Sequence, residues 1–310
     1  MEGRNSTHNQ PASVNIVNGT YPQLITFLVL NVVPSHSALP LLVFLVLSRK
    51  IQRHATFVNL MLVFIIVGIS SSVLLYAGKH EGPEPSKLLC LLQASLLYGV
   101  PAISSMAALM LVLQMFLVIR ESFYGRTYME RDHVFRSWIM VMAPYVAWLI
   151  SVVATAAVGS ASPGNVSRNR RFFYCSVKSD PLTDTITTVA AFILFATITF
   201  EAATVVLFYK RWVQVQQGSS SKAIDLNLPI RILSFGLYLV IAMSMSLLSI
   251  KTPQSPAPDL IIASASMVVV LIFGTQRDIL RALCFWRTQD RQDPHVSLND
   301  TESIGSVTKG

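Results

Sequence analysis

Seven long apolar segments, almost free of charged side chains, alternate with short polar ones along this chain. A bilayer core about 30 Å thick is crossed by about 20 helical residues, and the segments reach about this length or exceed it. The predicted spans are Pro22–Ser48, Thr56–Ala77, Leu88–Ile119, Arg136–Val158, Asp184–Tyr209, Pro229–Ile250 and Pro258–Gly274. The pattern therefore predicts an all-α membrane protein, a bundle of seven transmembrane helices.

The bundle fills residues 22–274, and the regions that flank it are polar. Residues 1–21 contain no signal-peptide core, so the first span is expected to be an uncleaved anchor. Residues 275–287 alternate apolar and charged side chains at helical spacing, which predicts an amphipathic eighth helix that contacts membrane lipids. Residues 288–310 are predicted to form a disordered cytoplasmic tail.

The third span is the longest, and we expect it to be the axis of the bundle. No charged side chain lies between Leu88 and Ile119, so the helix exceeds what one crossing needs and must tilt or project. Pro101 lacks a backbone N–H and is expected to kink this helix.

Composition and charge agree with a membrane protein. Of the 310 residues, 52% are hydrophobic and 13% charged, whereas soluble domains carry about 25% charged residues. The net charge of +8 does not indicate a nucleic-acid partner, because basic residues of membrane proteins gather in cytoplasmic loops. With the N-terminus outside, most Lys and Arg residues fall on the inner side. Four basic residues in one outer loop weaken the bias, namely Arg168, Arg170, Arg171 and Lys178.

Glycosylation patterns test the same orientation. The acceptor sequences at Asn5, Asn18 and Asn165 all fall on the predicted outer side. A fourth, at Asn299, falls in the tail and should stay unmodified. The sequence thus predicts a multi-pass plasma-membrane protein with an extracellular N-terminus and a cytoplasmic C-terminus.

Three cysteines divide between the two sides of the membrane. Cys90 and Cys175 both face the oxidising side, so we expect a disulfide that drapes the loop of residues 160–183 over the bundle. The alternative is two unrelated buried thiols. Cys284 is cytoplasmic, should stay reduced, and is a candidate palmitoylation site beside the amphipathic helix.

Several functional classes lack the residues that they need. Retinal proteins require a lysine inside the bundle, and none lies centrally in a span. His36 is the only histidine within a span, and no hydrolase motif or paired aspartates occur there, so no enzyme, metal or cofactor is expected. Glu201 is the only acid well inside a span, and the prolines do not repeat between halves. A seven-helix carrier remains the alternative to a receptor.

Polar positions in the outer halves of the spans are candidate ligand contacts. Those on the third span are Gln93, Tyr98, Ser104 and Ser105. Phe192 and Ser246 could face them, and Ser264 and Ser266 on the seventh span are alternatives. The alternative for each serine is helix packing. Since no central acid lies in the outer half, we expect a neutral or apolar extracellular ligand, a small molecule or a lipid-like one.

Gln114 and Glu201 lie in the inner halves of their spans. A carboxyl group at that depth is costly unless it is paired or protonated. We hypothesise a switch contact between these residues that breaks on activation. The alternative is that Glu201 extends towards the inner interface.

The overall pattern over about residues 20–290 resembles the G-protein-coupled receptor superfamily, although the rhodopsin-like motifs are missing. Residues 113–116 read Leu-Gln-Met-Phe where the Asp/Glu-Arg-Tyr triplet is expected, the sixth span has no internal proline, and the seventh lacks Asn-Pro-x-x-Tyr. Cys90-x-x-Gln93 is similar to the pattern of cAMP-receptor-like and secretin-like receptors. The ending from Phe273 to Ile279 is similar to that of seven-span receptors of mushroom-forming fungi.

This resemblance implies a receptor that activates a heterotrimeric G protein. Basic residues on the inner side are the candidate contacts, and each also serves the orientation of the chain in the membrane. They are Arg120, Arg126, Arg131, Lys210, Arg211, Arg231 and Arg277.

Overall fold

Ten α-helices and a two-stranded hairpin form the described part of the computed structural model, which covers residues 20–48, 54–124, 130–168, 171, 173–216, 227–251, 256–276 and 279–280. The helices are α1 (Tyr21–Val33), α2 (Leu39–Leu47), α3 (Ala55–Ser71), α4 (Val73–Tyr76), α5 (Lys87–Tyr98), α6 (Val100–Tyr124), α7 (Glu130–Ala161), α8 (Asp180–Gln216), α9 (Asn227–Lys251) and α10 (Ala257–Gly274). The antiparallel strands are β1 (Val166–Ser167) and β2 (Ser176–Val177).

Helices occupy all seven predicted spans. The first span contains α1 and α2, the second α3 and α4, the third α5 and α6, and the remaining four contain α7 to α10. Among the described residues, five helical segments are long and apolar enough to cross a membrane, and Ala55–Ser71 and Ile230–Ala242 are shorter apolar helices. The five are Tyr21–Leu47, Lys87–Glu121, Val134–Ala161, Asp180–Lys210 and Ala257–Gly274. The chain therefore has the architecture of an all-α, multi-pass membrane protein.

The third helical segment breaks at Gly99, between α5 and α6. Pro101 cannot donate to the carbonyl of Leu97, so an irregularity is expected at this point. The break also lets α7 approach closely, because a Cβ atom at position 99 would overlap Trp148. The indole N–H of Trp148 donates to the carbonyl of Leu96 at 3.4 Å and fixes this crossing.

A turn of π-helix, Pro34–Ala38, joins α1 to α2. Pro34 has no N–H of its own, and its carbonyl accepts the N–H of Leu39 five residues later. The wider turn places His36 against Tyr76, and the imidazole Nε2 and the phenol share a hydrogen bond. The first two helical segments are thus joined by a polar contact.

The main core lies around α6, which packs against α3, α7, α8 and α9. Four aromatic rings run across this core from α3 to α10. The ring centroids of Phe57 and Phe273 lie 5.0 Å apart, those of Phe273 and Phe235 lie 5.6 Å apart, and those of Phe235 and Phe64 lie 6.0 Å apart. These contacts hold α3, α9 and α10 around α6, which occupies the predicted axis.

The two ends of the bundle differ in structure. One end carries the hairpin and the starts of α1, α5, α8 and α10, and we call it the disulfide end for the bond described below. The other carries the ends of α2, α6, α8 and α10, and we call it the opposite end.

Candidate functional site

A disulfide and one buried amide fasten the hairpin to the bundle. Cys90, in the first turn of α5, is bonded to Cys175, with their Cα atoms 5.2 Å apart. Beside this bond, the fully buried Gln93 accepts the N–H of Cys175 through its Oε1 atom at 3.1 Å. Its Nε2 atom donates to the carbonyl of Ser71 at 3.5 Å. Gln93 therefore joins α3, α5 and the hairpin.

Two further side chains bind the hairpin backbone. Lys87 Nζ donates to the carbonyl of Val166 at 2.9 Å, and the Tyr98 hydroxyl donates to that of Val177 at 2.9 Å. Because Val166 and Val177 are partners across the two strands, both strands are held from α5.

Arg168 connects the hairpin to the loop between α4 and α5. The residue is only 5% exposed, and its guanidinium donates to the carbonyls of Lys79 at 2.9 Å, His80 at 3.3 Å and Gly82 at 2.8 Å. A cation that satisfies three backbone carbonyls has a structural role. This contact explains one of the basic residues that weaken the charge bias of the sequence.

The segment after the first strand inserts between α1 and α10. The ring of Phe173 stacks on Phe27 with their centroids 4.9 Å apart, and Tyr174 lies 6.3 Å from the same ring. Phe27 and Phe173 pack with Leu24 and Ala263 in one buried cluster. The loop therefore covers the disulfide end of the bundle, as the sequence predicts.

Beneath this cover lies a cavity of about 140 Å³. Side chains from five helical segments and the loop line it. They are Phe27, Asn31, Val67, Ser71, Leu97, Tyr98, Val100, Pro101, Arg171, Tyr174, Thr183, Ile186, Thr187, Asp259, Ile262 and Ala263. The lining combines apolar walls with a small polar group, which is the usual composition of a small-molecule site.

That polar group consists of Arg171, Tyr174 and Asp259. The Tyr174 hydroxyl donates to Asp259 Oδ1 at 2.9 Å, and Arg171 Nη1 lies 3.9 Å from the same oxygen. Burial raises the pKa of Tyr174 well above its usual range, so the phenol stays protonated and donates. Asp259 is 5% exposed, and its Oδ2 atom is buried with no hydrogen-bond partner in the described structure. The wall of the cavity therefore includes a residue with one buried, unsatisfied acceptor.

Of the predicted ligand contacts, Tyr98 is the one placed in this lining. Gln93 is buried behind it in the contact with Cys175. Ser104 and Ser105 donate to carbonyls one turn earlier in their own helix, each at 2.6 Å. These two serines take the alternative role of satisfied packing residues.

The other predicted contacts lie elsewhere. Phe192 is 70% exposed on the surface of the bundle, so it does not face the third segment. Ser264 is hydrogen-bonded to the hydroxyl of Tyr238 at 2.6 Å, a contact between α9 and α10. The side chain of Ser246 lies outside the described residues.

Sequence reasoning missed the polar group itself. Asp259 is the second residue of the seventh predicted span, where an acid is easily taken for a helix-end residue, so the expected lack of an acid in this half is corrected. In the sequence, Arg171 stands out only as one of the four outer basic residues that weaken the inner bias of Lys and Arg. The sequence did contain a signal. Asp259 lies at a helix end on the same side of the membrane as the unusually basic loop that contains Cys175.

At the opposite end, the predicted contact between Gln114 and Glu201 is absent from the hydrogen bonds of the described residues. The Glu201 carboxyl lies against Gly236 of α9, where an added Cβ atom would overlap it, and its Oε1 atom is buried without a partner there. Gln114 is buried at 6% exposure on α6. The carboxyl turns towards α9 because glycine leaves room for it.

The predicted G-protein contacts have varied surroundings. Arg120 lies 5.9 Å from the ring of Phe116, and Lys210 is exposed near the end of α8. Arg231 donates to the carbonyl of Ile272 and to Thr275 Oγ1, the latter at 2.8 Å, and so caps α10. The other four predicted contacts, for which the structure describes no side chain, are Arg126, Arg131, Arg211 and Arg277.

The proposed modification sites fall mostly outside the described residues. Asn5, Asn18 and Cys284 lie there, as do most of the predicted eighth helix and the tail. Asn165 is exposed in a 3-10 turn, Pro163–Asn165, at the disulfide end. Within the part of the chain that is described, no three His, Cys, Asp or Glu side chains are grouped as metal ligands.

No protein-family model matches the sequence, and no curated protein is significantly similar to it. The functional argument therefore depends on the geometry of the site.

Replacing Gln93 by methionine tests its structural role. The change keeps the volume but leaves the buried N–H of Cys175 and the carbonyl of Ser71 unpaired, so we expect a loss of about 1–3 kcal/mol in unfolding free energy. Thermal unfolding in lipid nanodiscs measures it. Gln114→Met is the matched control, because Gln114 makes no hydrogen bond within the described structure, and equal losses in both variants would contradict the assigned role.

Proposed function

We propose that this protein is a seven-span plasma-membrane receptor that binds an extracellular ligand in the cavity at the disulfide end and activates a heterotrimeric G protein. The observation that carries the proposal is the covered cavity of about 140 Å³ with an unsatisfied carboxylate oxygen. A buried acceptor without a donor is costly, and a ligand that supplies the donor removes this cost.

The position of the cavity supports a signalling role. Its lining comes from helical segments that continue to the opposite end of the bundle, so a ligand contacts several of them at once. A ligand that binds one arrangement of these helices better than another shifts their equilibrium. A site that contacts several helices at once is therefore sufficient for a ligand to act as a signal.

Helix α6 connects the two ends. It begins at the cavity with Val100 and Pro101 and reaches Glu121, which forms a 2.7 Å ion pair with Arg136 of α7. Helix α6 therefore offers a continuous route from the cavity to a charged contact at the opposite end, which supports coupling between the two ends. We propose that the G protein binds at this end.

The core favours the receptor over the carrier. Phe64, Phe235 and Phe273 are each at most 1% exposed and pack ring against ring across the bundle, farther from the disulfide end than the cavity. A carrier would have to open a path through this layer in another conformation. The tightly packed rings instead separate the ligand cavity from the opposite end.

Glycosylation at Asn165 tests the orientation. If the disulfide end is extracellular, Asn165→Gln removes one glycan from the protein made in eukaryotic cells, because the side chain is exposed there. The shift in electrophoretic mobility after glycosidase treatment measures it. Asn299→Gln is the control and should change nothing. A glycan at Asn299 and none at Asn165 would invert the topology.

Nucleotide exchange tests the function. With a compound found by a cell-reporter screen, the purified protein in nanodiscs should accelerate exchange on a heterotrimeric G protein. Ala263→Leu adds bulk inside the cavity and should weaken the potency of that compound at least about tenfold, since a ligand has less room.

The control for this experiment is Ala154→Leu on the exposed face of α7, which should keep the potency of the parent protein. Compound-dependent solute flux through sealed liposomes without any nucleotide exchange would contradict the receptor and favour the carrier.

A further inference from the structure

We propose that the cavity binds the head group of a neutral ligand that both donates and accepts hydrogen bonds, a primary amide or a hydroxyl on a short apolar body. Arg171 and Asp259 are the two halves of this head-group site. The inference rests on the proposed function only where it treats the bound ligand as the signal that activates the receptor. Binding itself follows from the cavity.

Arg171 provides the donor half. Its side chain is 25% exposed and lines the cavity, and the nearest carboxylate oxygen lies 3.9 Å from Nη1, beyond hydrogen-bond distance. Across the described ranges, no acceptor is within hydrogen-bond reach of this guanidinium. A guanidinium carries five N–H donors and no acceptor, so it leaves donors available to a ligand.

Asp259 provides the acceptor half. Its Oδ1 atom accepts from the Tyr174 hydroxyl at 2.9 Å, whereas Oδ2 is buried and unpartnered within the described structure. Asp259 is only 5% exposed although it lines the cavity, so Oδ2 becomes accessible to a ligand when the carboxyl group turns towards the cavity. A ligand N–H or O–H aimed at Oδ2 satisfies it.

The charges of the two halves select against ions. One positive and one negative group lie side by side, so the pair is neutral as a whole. A ligand ammonium is attracted by Asp259 but repelled by Arg171. A ligand carboxylate is attracted by Arg171 but repelled by Asp259. Because burial strengthens both the attraction and the repulsion, a neutral donor–acceptor group complements the pair better than either single ion.

The size and walls of the cavity limit the body of the ligand. An apolar cavity of about 150 Å³ holds one benzene molecule, so about 140 Å³ holds a body of similar size. Leu97, Val100, Ile186 and Ile262 supply apolar walls. A short alkyl chain or a single ring fits this space.

Three ligands of one chain length test the head group: hexanamide, hexanoate and hexylammonium. We expect hexanamide to bind the full-length protein in nanodiscs at least about tenfold more tightly than either ion, measured by ligand-observed NMR titration. Tighter binding of hexanoate would show an anion site, tighter binding of hexylammonium would show an amine site, and equal affinities would show no head-group site. Each of these results overturns the proposal.

Variants change the preference in opposite directions. Asp259→Asn leaves Arg171 uncompensated, so the ratio of affinities should move towards hexanoate by at least about tenfold. Arg171→Gln should move it towards hexylammonium. Asp184→Asn, an exposed acid outside the lining, is the control and should keep the preference for hexanamide. Unchanged ratios in both site variants overturn the proposal, and if one variant does not fold, the wild-type series and the other variant decide.

The two proposals fail in different ways. Selective binding of hexanamide without nucleotide exchange by any compound contradicts the receptor and leaves the head-group site in place. Activation by a charged compound that competes for the cavity contradicts the head-group site and leaves the receptor in place.

Discussion

The disulfide between Cys90 and Cys175 is the constraint on which the disulfide end depends. It closes a loop across 85 positions of sequence, and in the chain-entropy model such a closure stabilises the fold by about 4–5 kcal/mol. Gln93 adds a hydrogen bond next to it, so the segment that ends with Cys175 is fixed against α5 in one direction. This geometry brings Tyr174 over Asp259. Without the disulfide, no residue of the loop would be held in place over the carboxylate of Asp259 at the start of α10.

Two carboxylates inside the bundle, those of Asp259 and Glu201, have different surroundings. Asp259 lies beside Arg171 and accepts from Tyr174, and its other oxygen is buried without a partner in the described structure. Glu201 lies against Gly236 and, in the described structure, has a buried oxygen with no partner. A buried carboxylate is stable as an ion only beside a cation or several donors. The first carboxylate has a cation and a hydroxyl donor close to it, whereas the second has neither for its buried oxygen within the described structure.

Sequence predicted the helices well and the cavity poorly, for physical reasons. Span length and the absence of charge define a transmembrane segment, and two cysteines on one side of it suggest a bond. The rotation of an apolar helix about its axis leaves no such signal. Because α8 is apolar on every face, nothing in the sequence indicates that Phe192 is exposed. The hydroxyls of Ser104 and Ser105 donate to backbone carbonyls of their own helix, so these serines need no partner on another helix. The long-range meeting of Arg171 and Asp259 depends on a loop path that periodicity does not encode.

The central claim is that the loop fixed by Cys90 covers a ligand site between Arg171 and Asp259. An experimental density map of the protein in nanodiscs with hexanamide tests it most directly. We predict density for the amide within about 3.2 Å of both Asp259 Oδ2 and the Arg171 guanidinium, beneath Tyr174. A direct two-bond pair between Arg171 and Asp259 that closes the cavity, with hexanamide bound elsewhere, would contradict the account.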